Sequence, residues 1–421
     1  MTASKTSETG IAGGLMNKTQ TQFTPSPTES NVTAELLDAV ERIRPVIEQH
    51  APVAEAERRL PQPVFDAMFD AGLFGMLAPK AYGGFELPPV AAMQVWEAVA
   101  RIDASAAWNL VMNQGFTCCA AWLPDEGARE LFANGPTTAA GPFFPPGTAR
   151  RVKGGWQATS RGSYASGCHN VRWLWLSALE TENGETVIDP DSGEPTPYAF
   201  FFPREEVEIF DTWYTLGMRG TGSADIGVDD VFVPDRRAMR LGPLQSPASG
   251  FEGPLYRMWP LSAVLGETIV SLGIAAAAID GAIEMVKAKT PAFTNTVLRD
   301  QVMAQHSIGR AAGKVEASRD TLHAAASQAF EETSASGEGL SWEAKIRLQL
   351  AVTFAAESCT EAVRLAHDVA GASAIRQEYP FERWFRDIHT LTQHASKNSA
   401  RHASAGRLLF GLDNDWAALN F

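Results

Sequence analysis

Cysteine is scarce in this sequence, and its placement argues against two kinds of protein. Four cysteines occur among 421 residues: Cys118 and Cys119 are adjacent, and Cys168 and Cys359 are isolated. They form neither the disulfide framework of a small secreted domain nor the C-x-x-C spacing of a metal site. The sequence therefore predicts a protein of a reducing compartment, the cytoplasm, and no metal centre.

Positive charge is also in short supply. Lys and Arg number 35 against 49 Asp and Glu, which gives a formal net charge of −14. A surface that binds nucleic acid without regard to its sequence needs clustered Lys and Arg. The composition therefore predicts no nucleic-acid partner and favours an acidic cytoplasmic enzyme.

Long apolar runs are missing as well. The richest stretch, around 269–279, is short and rich in alanine, whereas a membrane-spanning helix needs about 20 apolar residues. The first thirty or so residues are rich in Ser, Thr, Gly and Gln and contain no apolar run preceded by basic residues. We therefore expect residues 1–33 to form a disordered tail rather than a signal peptide, and we expect the protein to stay off the membrane.

The best-known hydrolase motifs do not occur. The sequence contains neither a Gly-x-Ser-x-Gly elbow nor a His-Glu-x-x-His pair, so serine hydrolase and zinc protease functions have little support. Single histidines such as His323 and His367 lie on predicted helices, where a surface or core role is more usual than catalysis.

What is present divides the chain into three structured parts. Residues 34–136 repeat apolar residues at steps of three and four, which predicts a helical domain. Residues 137–245 are rich in Gly, Pro, Val and aromatic residues with alternating segments, which predicts a small antiparallel β domain. Residues 246–421 predict a helical bundle, whose four long segments are 264–289, 298–329, 341–370 and 380–409. The fold class is thus mainly α with a central β domain.

Two glycine-containing stretches of the β domain are candidate ligand loops. Residues 161–170 concentrate small and polar residues at the expected end of a strand, where backbone can approach a planar ligand or simply turn. Residues 216–223 (Leu-Gly-Met-Arg-Gly-Thr-Gly-Ser) either cradle an anion with backbone N–H groups and Arg219 or connect two strands. They lack the Lys-Ser/Thr ending of a P-loop.

The stretch 378–394 predicts a proline-started helix that carries two arginines, an aspartate and two histidines. At 100° per residue, His394 falls within about 20° of Asp387, whereas His389 points about 140° away from His394. The two histidines should therefore have different roles, and a metal shared between them is not expected.

Motifs in order along the chain resemble the acyl-CoA dehydrogenase superfamily over residues 34–412. They are Arg59-Leu-Pro, Asp70-Ala-Gly-Leu, Tyr82-Gly-Gly, the 216–223 stretch followed by Asp229-Asp-Val-Phe-Val-Pro, and Tyr379-Pro with Arg386-Asp387. The resemblance implies a helical domain, a β domain and a four-helix bundle, assembled as a homotetramer with flavin between the β domain and the bundle.

Two departures from the superfamily pattern bear on the chemistry. Members with their base on the last helix carry Glu-Gly-Thr about eight residues past Arg-Asp, a register that falls here on Ala395. A sub-branch places its base earlier in the bundle, where Glu252, Glu267 and Glu284 are available. The Arg-x-x-Phe-Gly sequence that reaches the FAD pyrophosphate is also missing. This absence slightly favours FMN, or a loosely held reduced flavin, over tightly bound FAD.

A closer similarity is to the oxygenase components of two-component flavin monooxygenases, such as p-hydroxyphenylacetate hydroxylase and dibenzothiophene monooxygenase. It is carried by Asp103-Ala-Ser-Ala-Ala-Trp108, Tyr164-Ala-Ser-Gly-Cys-His169, Arg386-Asp-Ile-His389 with Gln393-His394, and Gly406-Arg-Leu-Leu-Phe-Gly411. Those enzymes take reduced FMN or FAD from a separate flavin reductase and form a C4a-hydroperoxide with O2. The implied substrate is a small aromatic or heterocyclic molecule.

The same similarity implies roles for individual positions. Ser166 would lie beside flavin N5, and His394 would face the substrate as base or orienting group. Asn113 stands where some relatives have a histidine, and its amide can orient a substrate but cannot accept a proton. Further flavin-contacting candidates are Phe143, Gly371 and Ser373, with Arg219 and Ser223 either holding the flavin phosphate or bracing the strand.

Two other functions stay open on the sequence. One is an acyl-CoA dehydrogenase whose base lies elsewhere in the bundle. The other is a flavin- or ligand-binding scaffold without chemistry, in which exchange of His394 or Ser166 for alanine would change nothing.

Overall fold

A computed structural model describes residues 27–142, 146–190, 193–195, 197–242, 246–258 and 261–420. The helices are α1 (Pro27–Glu57), α2 (Gln62–Asp70), α3 (Pro89–Ile102), α4 (Ala104–Cys118), α5 (Asp125–Leu131), α6 (Pro254–Arg257), α7 (Leu261–Val286), α8 (Val302–Ser336), α9 (Trp342–Ala370), α10 (Phe381–Leu391) and α11 (Ala400–Leu409). The strands are β1 (Ala139–Ala140), β2 (Gly147–Val152), β3 (Gly155–Ala165), β4 (Trp173–Glu182), β5 (Glu185–Thr186), β6 (Pro197–Pro203), β7 (Glu208–Phe210), β8 (Ala224–Pro234) and β9 (Ala238–Arg240). This order of helices, sheet and helices confirms the predicted fold class.

The first helix starts before the predicted end of the tail. Helix α1 begins at Pro27, whereas the sequence predicts disorder to residue 33. The earlier start has a physical basis, because Val32 packs against the core and the Thr33 hydroxyl donates a hydrogen bond to the carbonyl of Glu29. The rest of the predicted tail, residues 1–26, lies outside the described residues.

Helix α4 carries Asn113, one of the predicted site residues. Its N-cap is Asp103, whose Oδ1 accepts a hydrogen bond of 2.8 Å from the amide of Ala106. Ser105 then lies inside the helix. Nearly every residue of α4 is buried, because α3, α7 and β1 pack around it. Its side chains are therefore held rigidly at the junction of the three parts of the chain.

The sheet is mixed rather than antiparallel. Its strand order is β7-β8-β3-β2-β4-β6-β9, and both β1 and β2 run parallel to β4. The antiparallel prediction fails because β4 does not add beside β3. After β3 the chain crosses in the loop 166–172 and places β4 on the far side of β2. This crossing loop begins with Ser166, and the register of β3 against β8 shifts just before it.

The C-terminal part is a helical bundle built on α7, α8 and α9, which pack against one another. Helix α7 is long and apolar enough to span a membrane by composition, yet two-thirds of its apolar window is buried within the protein. That burial is typical of the core helix of a bundle. The prediction of one long segment over 380–409 is wrong, since the helix ends at Leu391 and resumes at Ala400.

Distant side chains explain this break. The carbonyl of Ser396 accepts a hydrogen bond of 2.9 Å from Nε2 of Gln349 on α9, and the side chain of Lys397 turns inward to reach the carbonyl of Glu267 on α7. The first bond replaces a backbone hydrogen bond that a continuous helix would make, and the second holds the segment against α7. The segment 392–399 is therefore irregular, and it carries His394.

Candidate active site

Three parts of the chain meet around the indole of Trp108. This side chain comes from α4 and is 6% exposed. Its Nε1 donates a hydrogen bond of 2.9 Å to Oγ of Ser166, which begins the crossing loop after β3. The ring of His394 packs edge-on against the same indole, with 5.4 Å between the ring centroids. Ser166 and His394, both predicted from the sequence, thus contact the same buried side chain.

The hydroxyl of Ser166 belongs to a chain of hydroxyl groups. Oγ of Ser166 and Oγ of Ser223 are 2.7 Å apart, as are Oγ of Ser223 and Oγ1 of Thr221. Thr221 donates its single hydroxyl proton to the carbonyl of Met218. Ser223 must then donate to Thr221, and Ser166 to Ser223. Because Ser166 also accepts from Trp108, its remaining lone pair makes it a hydrogen-bond acceptor for a bound molecule.

The amides of α4 that face the Ser166 loop are incompletely paired. Nδ2 of Asn113 donates a hydrogen bond of 3.2 Å to the carbonyl of Ser166. Among the described residues, Oδ1 of Asn113 and both amide atoms of the fully buried Asn109 have no hydrogen-bond partner. Buried polar groups without partners are costly and are usual where a ligand or an ordered water completes the site.

Gly167 lets this loop approach α4. Its φ is +77°, and a Cβ at this position would lie 2.9 Å from Nδ2 of Asn113. We expect Gly167→Ala to lower the free energy of unfolding by about 2 to 4 kcal/mol, from backbone strain and overpacking together. Denaturant unfolding measures the loss.

The control for this substitution is Gly154→Ala. Gly154 has a similar φ of +79° but has open space at the Cβ position. It should therefore lose only the strain contribution, about 1 to 2 kcal/mol. Equal losses in the two variants would mean that overpacking against Asn113 contributes nothing to the change in the free energy of unfolding.

His394 lies in the irregular segment after α10 and not on the helix. The predicted shared face with Asp387 is therefore wrong. Nδ1 of His394 is 3.0 Å from Oε2 of Glu267 on α7 and 2.8 Å from Oγ of Ser396. The His394 side chain is 38% exposed, whereas that of Glu267 is 5% exposed. The imidazole therefore has a buried acidic partner on one side and an accessible edge on the other.

A second charged group lies behind this pair. Lys397 is 1% exposed, donates a hydrogen bond of 2.8 Å to the carbonyl of Glu267, and holds Nζ 4.8 Å from the centre of the Trp108 ring. Burial lowers the pKa of Lys397 to about 8, although the charge of Glu267 opposes this shift. For Glu267, burial acts to raise the pKa, but the positive charges and hydrogen bonds around it leave the pKa lowered. The carboxyl group is thus ionised at neutral pH.

Two sequence profiles of known families match the chain. The profile described as acyl-CoA dehydrogenase, N-terminal domain, matches residues 33–129. The profile described as acyl-CoA dehydrogenase, C-terminal domain, matches residues 265–399, and the two together cover more than half of the chain. The chain belongs to the acyl-CoA dehydrogenase superfamily.

Relatives within the superfamily carry monooxygenase names. Indole-3-acetate monooxygenase of Pseudomonas putida is 29% identical over 359 residues, which cover 85% of this chain and 89% of the relative. The flavin-dependent monooxygenase oxygenase subunit HsaA of Mycobacterium tuberculosis is 27% identical over 386 residues, with 90% of this chain and 95% of the relative covered. The solved structure of XiaF from Streptomyces sp., in complex with FADH2 and glycerol, is 26% identical and covers 92% of this chain and 98% of that chain, with a TM-score of 0.83.

The superfamily motif at Arg386-Asp387 has a positioning role in this chain. Oδ1 of Asp387 accepts a hydrogen bond of 2.5 Å from the amide of Met218, at the start of the turn that carries Thr221 and Ser223. Arg386 instead pairs with Glu55 of α1 and with Glu382. The two residues therefore tie α10 to different elements and do not pair with each other.

The remaining predicted flavin contacts are placed as follows. Nε of Arg219 donates to the carbonyl of Glu55 at 3.1 Å, which is the bracing alternative, and the side chain is 36% exposed. Gly371 adopts a φ of +56° next to Ser373, whose Oγ accepts a hydrogen bond of 2.8 Å from Lys289. These contacts do not join Gly371 or Ser373 to the cluster around Trp108. Phe143 lies outside the described residues, and the flavin roles of all these positions stay predictions.

Sequence reasoning missed three members of the cluster. The sequence assigns Trp108 no role of its own, and it does not predict the two contacts of its ring and Nε1. Glu267 was considered only as a dehydrogenase base, and Lys397 was not considered. Of these, only Trp108 had a sequence signal, since it ends one of the motifs shared with the monooxygenases.

Proposed function

We propose that the protein is the oxygenase component of a two-component flavin-dependent monooxygenase. It takes reduced flavin from a separate flavin reductase and uses O2 to oxygenate a small aromatic or heterocyclic substrate. The observation that carries the proposal is the contact of Ser166 and His394 with one indole, that of Trp108. This arrangement puts the predicted flavin contact and the predicted substrate base side by side.

The residues present fit a reduced flavin. Ser166 offers a lone pair to the N5–H donor of a reduced flavin, and the unpaired amides of Asn109 and Asn113 lie beside the same loop. Ser166, Asn113 and Ser223 would hold the isoalloxazine end, with Arg219 a candidate for the phosphate. When bound, the reduced flavin would supply two electrons to O2, one atom of which enters the substrate while the other leaves as water.

The chain supplies proton acceptance and exclusion of water. His394 accepts a phenol or N–H proton of the substrate at neutral pH, which the buried apolar side chains around it cannot do. The indole of Trp108 covers the space between the two polar groups. A dry, covered site protects reactive intermediates from hydrolysis.

The finer assignments in this proposal rest on different grounds. FMN is slightly favoured over FAD because Arg-x-x-Phe-Gly is missing and Lys289 donates to Ser373 and the carbonyl of Ala370 instead. The names of the indole-3-acetate and HsaA relatives support an aromatic or heterocyclic substrate and a separate reductase. We also propose a homotetramer in the cytoplasm, from the resemblance and from the cysteine and charge content.

An acyl-CoA dehydrogenase is not favoured, since the candidate carboxylates are engaged. Ala395 occupies the register of the glutamate base, and Glu267 is paired with His394. Glu252 accepts a hydrogen bond from the amide of Gly250, and Glu284 pairs with Lys287 at the surface. A base for an α-proton must be free to approach it.

Rapid mixing with reduced flavin tests the proposed function. The protein is mixed with reduced FMN or FAD in oxygenated buffer, with absorbance followed near the boundary of the ultraviolet and visible ranges. We expect a transient species of oxygenated flavin with either cofactor, longer-lived with the preferred one. Immediate reoxidation without this species would contradict the proposal. Purification as a yellow FAD protein bleached by an acyl-CoA would establish the dehydrogenase instead.

Replacing Ser166 by alanine should shorten the life of that species. The variant loses one hydrogen-bond acceptor, worth about 1.4 kcal/mol, so we expect about tenfold faster decay and more H2O2. Stopped-flow absorbance and a peroxide assay measure the two effects.

The matched control for Ser166→Ala is Ser160→Ala. Ser160 lies on β3, the strand that leads into the Ser166 loop, and its hydroxyl donates to the carbonyl of Ser177 at 2.8 Å. This substitution should leave the decay rate unchanged. If the wild-type protein forms no product, and Ser166→Ala and His394→Ala leave its flavin or ligand binding unchanged, the protein is a scaffold without chemistry.

A further inference from the structure

The charged groups behind His394 are buried more deeply than the histidine itself. Glu267 is 4% exposed and Lys397 is 1% exposed. They come from α7 and from the irregular segment that follows α10, so packing of the bundle fixes the position of each. A carboxylate and an ammonium group held this way, next to one accessible imidazole, are unusual in a core.

The hydrogen bonds define where the proton on His394 lies. Nδ1 is within hydrogen-bond distance of Oε2 of Glu267 and of Oγ of Ser396, and Ser396 donates its own hydroxyl proton to Glu267. An ionised carboxylate only accepts hydrogen bonds. The amide of Ser396 also faces Nδ1, at the longer distance of 3.4 Å. The two shorter contacts end on a carboxylate and on a hydroxyl whose own proton is already used, so they assign the proton to Nδ1. A neutral imidazole then has its lone pair on Nε2, at the other edge of the ring.

Lys397 fixes the backbone that carries this carboxylate. Its Nζ donates a hydrogen bond of 2.8 Å to the carbonyl of Glu267, so the segment that carries His394 is tied to α7 next to the carboxylate. Cys359 on α9 is also near Lys397, and burial raises its thiol pKa to about 12, so it adds no charge at neutral pH.

We propose that Glu267 and Lys397 are positioning residues that place the proton of His394 on Nδ1 and leave Nε2 as the edge available to the substrate. Glu267 selects the tautomer, and Lys397 keeps Glu267 and the segment that carries His394 in register. Neither residue needs to touch the substrate.

This arrangement also narrows the class of substrate. Unlike the tautomer, this conclusion rests on the proposed function. A lone pair on Nε2 requires a substrate that donates a proton. The O–H bond of a phenol or the N–H bond of a heterocycle breaks, its electron pair stays on the oxygen or nitrogen, and the proton moves to Nε2. A substrate without such a proton, such as a thioether, gains nothing from the arrangement.

Nitrogen NMR of the ligand-free protein tests the tautomer. The 15N shifts of the imidazole distinguish Nδ1–H, Nε2–H and imidazolium forms, and His394→Gln assigns the signals. At pH 8 we expect the wild-type protein to show the Nδ1–H tautomer. In Glu267→Gln we expect a mixture of tautomers, because an amide has no charge to favour one form. In Lys397→Met we expect the Nε2–H population to rise at least threefold, because the segment that carries His394 is no longer tied to the carbonyl of Glu267.

The chain contains a matched control for these variants. Nε2 of His402 lies 3.3 Å from Oε2 of Glu357 in a solvent-exposed pair. Glu357→Gln should leave the signals of His394 unchanged. An Nε2–H tautomer or an imidazolium at pH 8 in the wild-type protein would overturn the proposal, even if Glu267→Gln does not fold. So would unchanged signals in folded Glu267→Gln and Lys397→Met.

This test separates the inference from the function it serves. The measurement needs neither flavin nor substrate. If the Nδ1–H tautomer is found but no oxygenated flavin forms on rapid mixing, the positioning roles stand and the monooxygenase proposal fails. If the oxygenated flavin forms but His394 is not the Nδ1–H tautomer, the monooxygenase proposal stands and the positioning roles fail.

Discussion

His394→Ala is expected to lower the rate of product formation by about 100-fold or more, the usual contribution of a general base. The imidazole is the titratable group with an accessible edge in the cluster around Trp108. The buried Glu267 and Lys397 cannot replace it, since Glu267 is engaged by Ser396 and His394, and Lys397 by the carbonyl of Glu267. Steady-state product formation with an excess of reduced flavin measures the effect.

The same variant should keep consuming oxygen. Ser166 and its hydroxyl chain do not contact His394 directly, so the flavin should still react with O2. The electrons of the flavin would then reduce O2 to H2O2 without forming product, and the ratio of peroxide to product should rise steeply. A peroxide assay run beside the product assay separates this uncoupling from simple loss of flavin binding.

His389→Ala is the matched control on the other histidine of the same stretch. Nδ1 of His389 is hydrogen-bonded to the carbonyl of Phe385, one turn earlier in α10, and its ring packs on Phe385. Removing it should change product formation by less than about threefold, within what a surface substitution usually does. A larger loss in His389→Ala than in His394→Ala would reject His394 as the base.

The largest stability effect is expected from Arg383→Met, a loss of about 3 to 5 kcal/mol in the free energy of unfolding. Arg383 forms a close ion pair with Asp103, the N-cap of α4, and lies 3.6 Å from Oδ2 of Asp387 and 3.9 Å from Oε2 of Glu55. Asp103 and Asp387 are both buried. Without the guanidinium, the carboxylates repel one another away from water.

The loss should depend on pH in a defined direction. Burial raises the pKa of Asp387 to about 6 even though Arg383 acts to lower it. A carboxyl group whose pKa is raised on folding favours the folded state at low pH and loses that advantage as pH rises. Removing Arg383 strengthens this trend, so the variant should lose more stability at pH 8 than at pH 5.5.

An exposed arginine of the same bundle provides the comparison. Arg364 pairs with Asp368 at 2.7 Å, and both side chains are about half exposed. Arg364→Met should therefore cost less than about 1 kcal/mol, with little dependence on pH. Denaturant unfolding of both variants at the two pH values decides the matter, and equal losses would show that burial of the network is unimportant.

Local patterns were sufficient for most of the secondary structure. Apolar spacing predicts a helical domain where α2 to α5 lie and predicts α9 to within a residue, and alternation predicts strands between residues 137 and 245. Two structural errors depend on distant contacts. The direction of β4 depends on which side of β2 the crossing loop reaches, and the break after Leu391 depends on partners on α7 and α9.

The candidate site was predictable as single residues and not as an arrangement. Ser166, Asn113 and His394 came from the resemblance to the monooxygenases, and the contacts around Trp108 bring them together. Glu267 and Lys397 had no local pattern to mark them. A buried carboxylate in an apolar helix gives no sign of its partner, because the hydroxyl that donates to it, that of Ser396, follows 129 residues later.

The contacts of Trp108 also determine at what stage of synthesis and folding the site can form. Its serine partner follows 58 residues later in the chain, while the histidine comes from the last thirty residues. During synthesis, the serine loop therefore leaves the ribosome long before the segment that completes the cluster, and such long-range contacts form late in folding. A nascent or truncated chain can expose the serine loop but cannot close the cluster over it. Docking of the C-terminal segment is thus the step that completes the cluster on which the proposed reaction of reduced flavin with O2 depends.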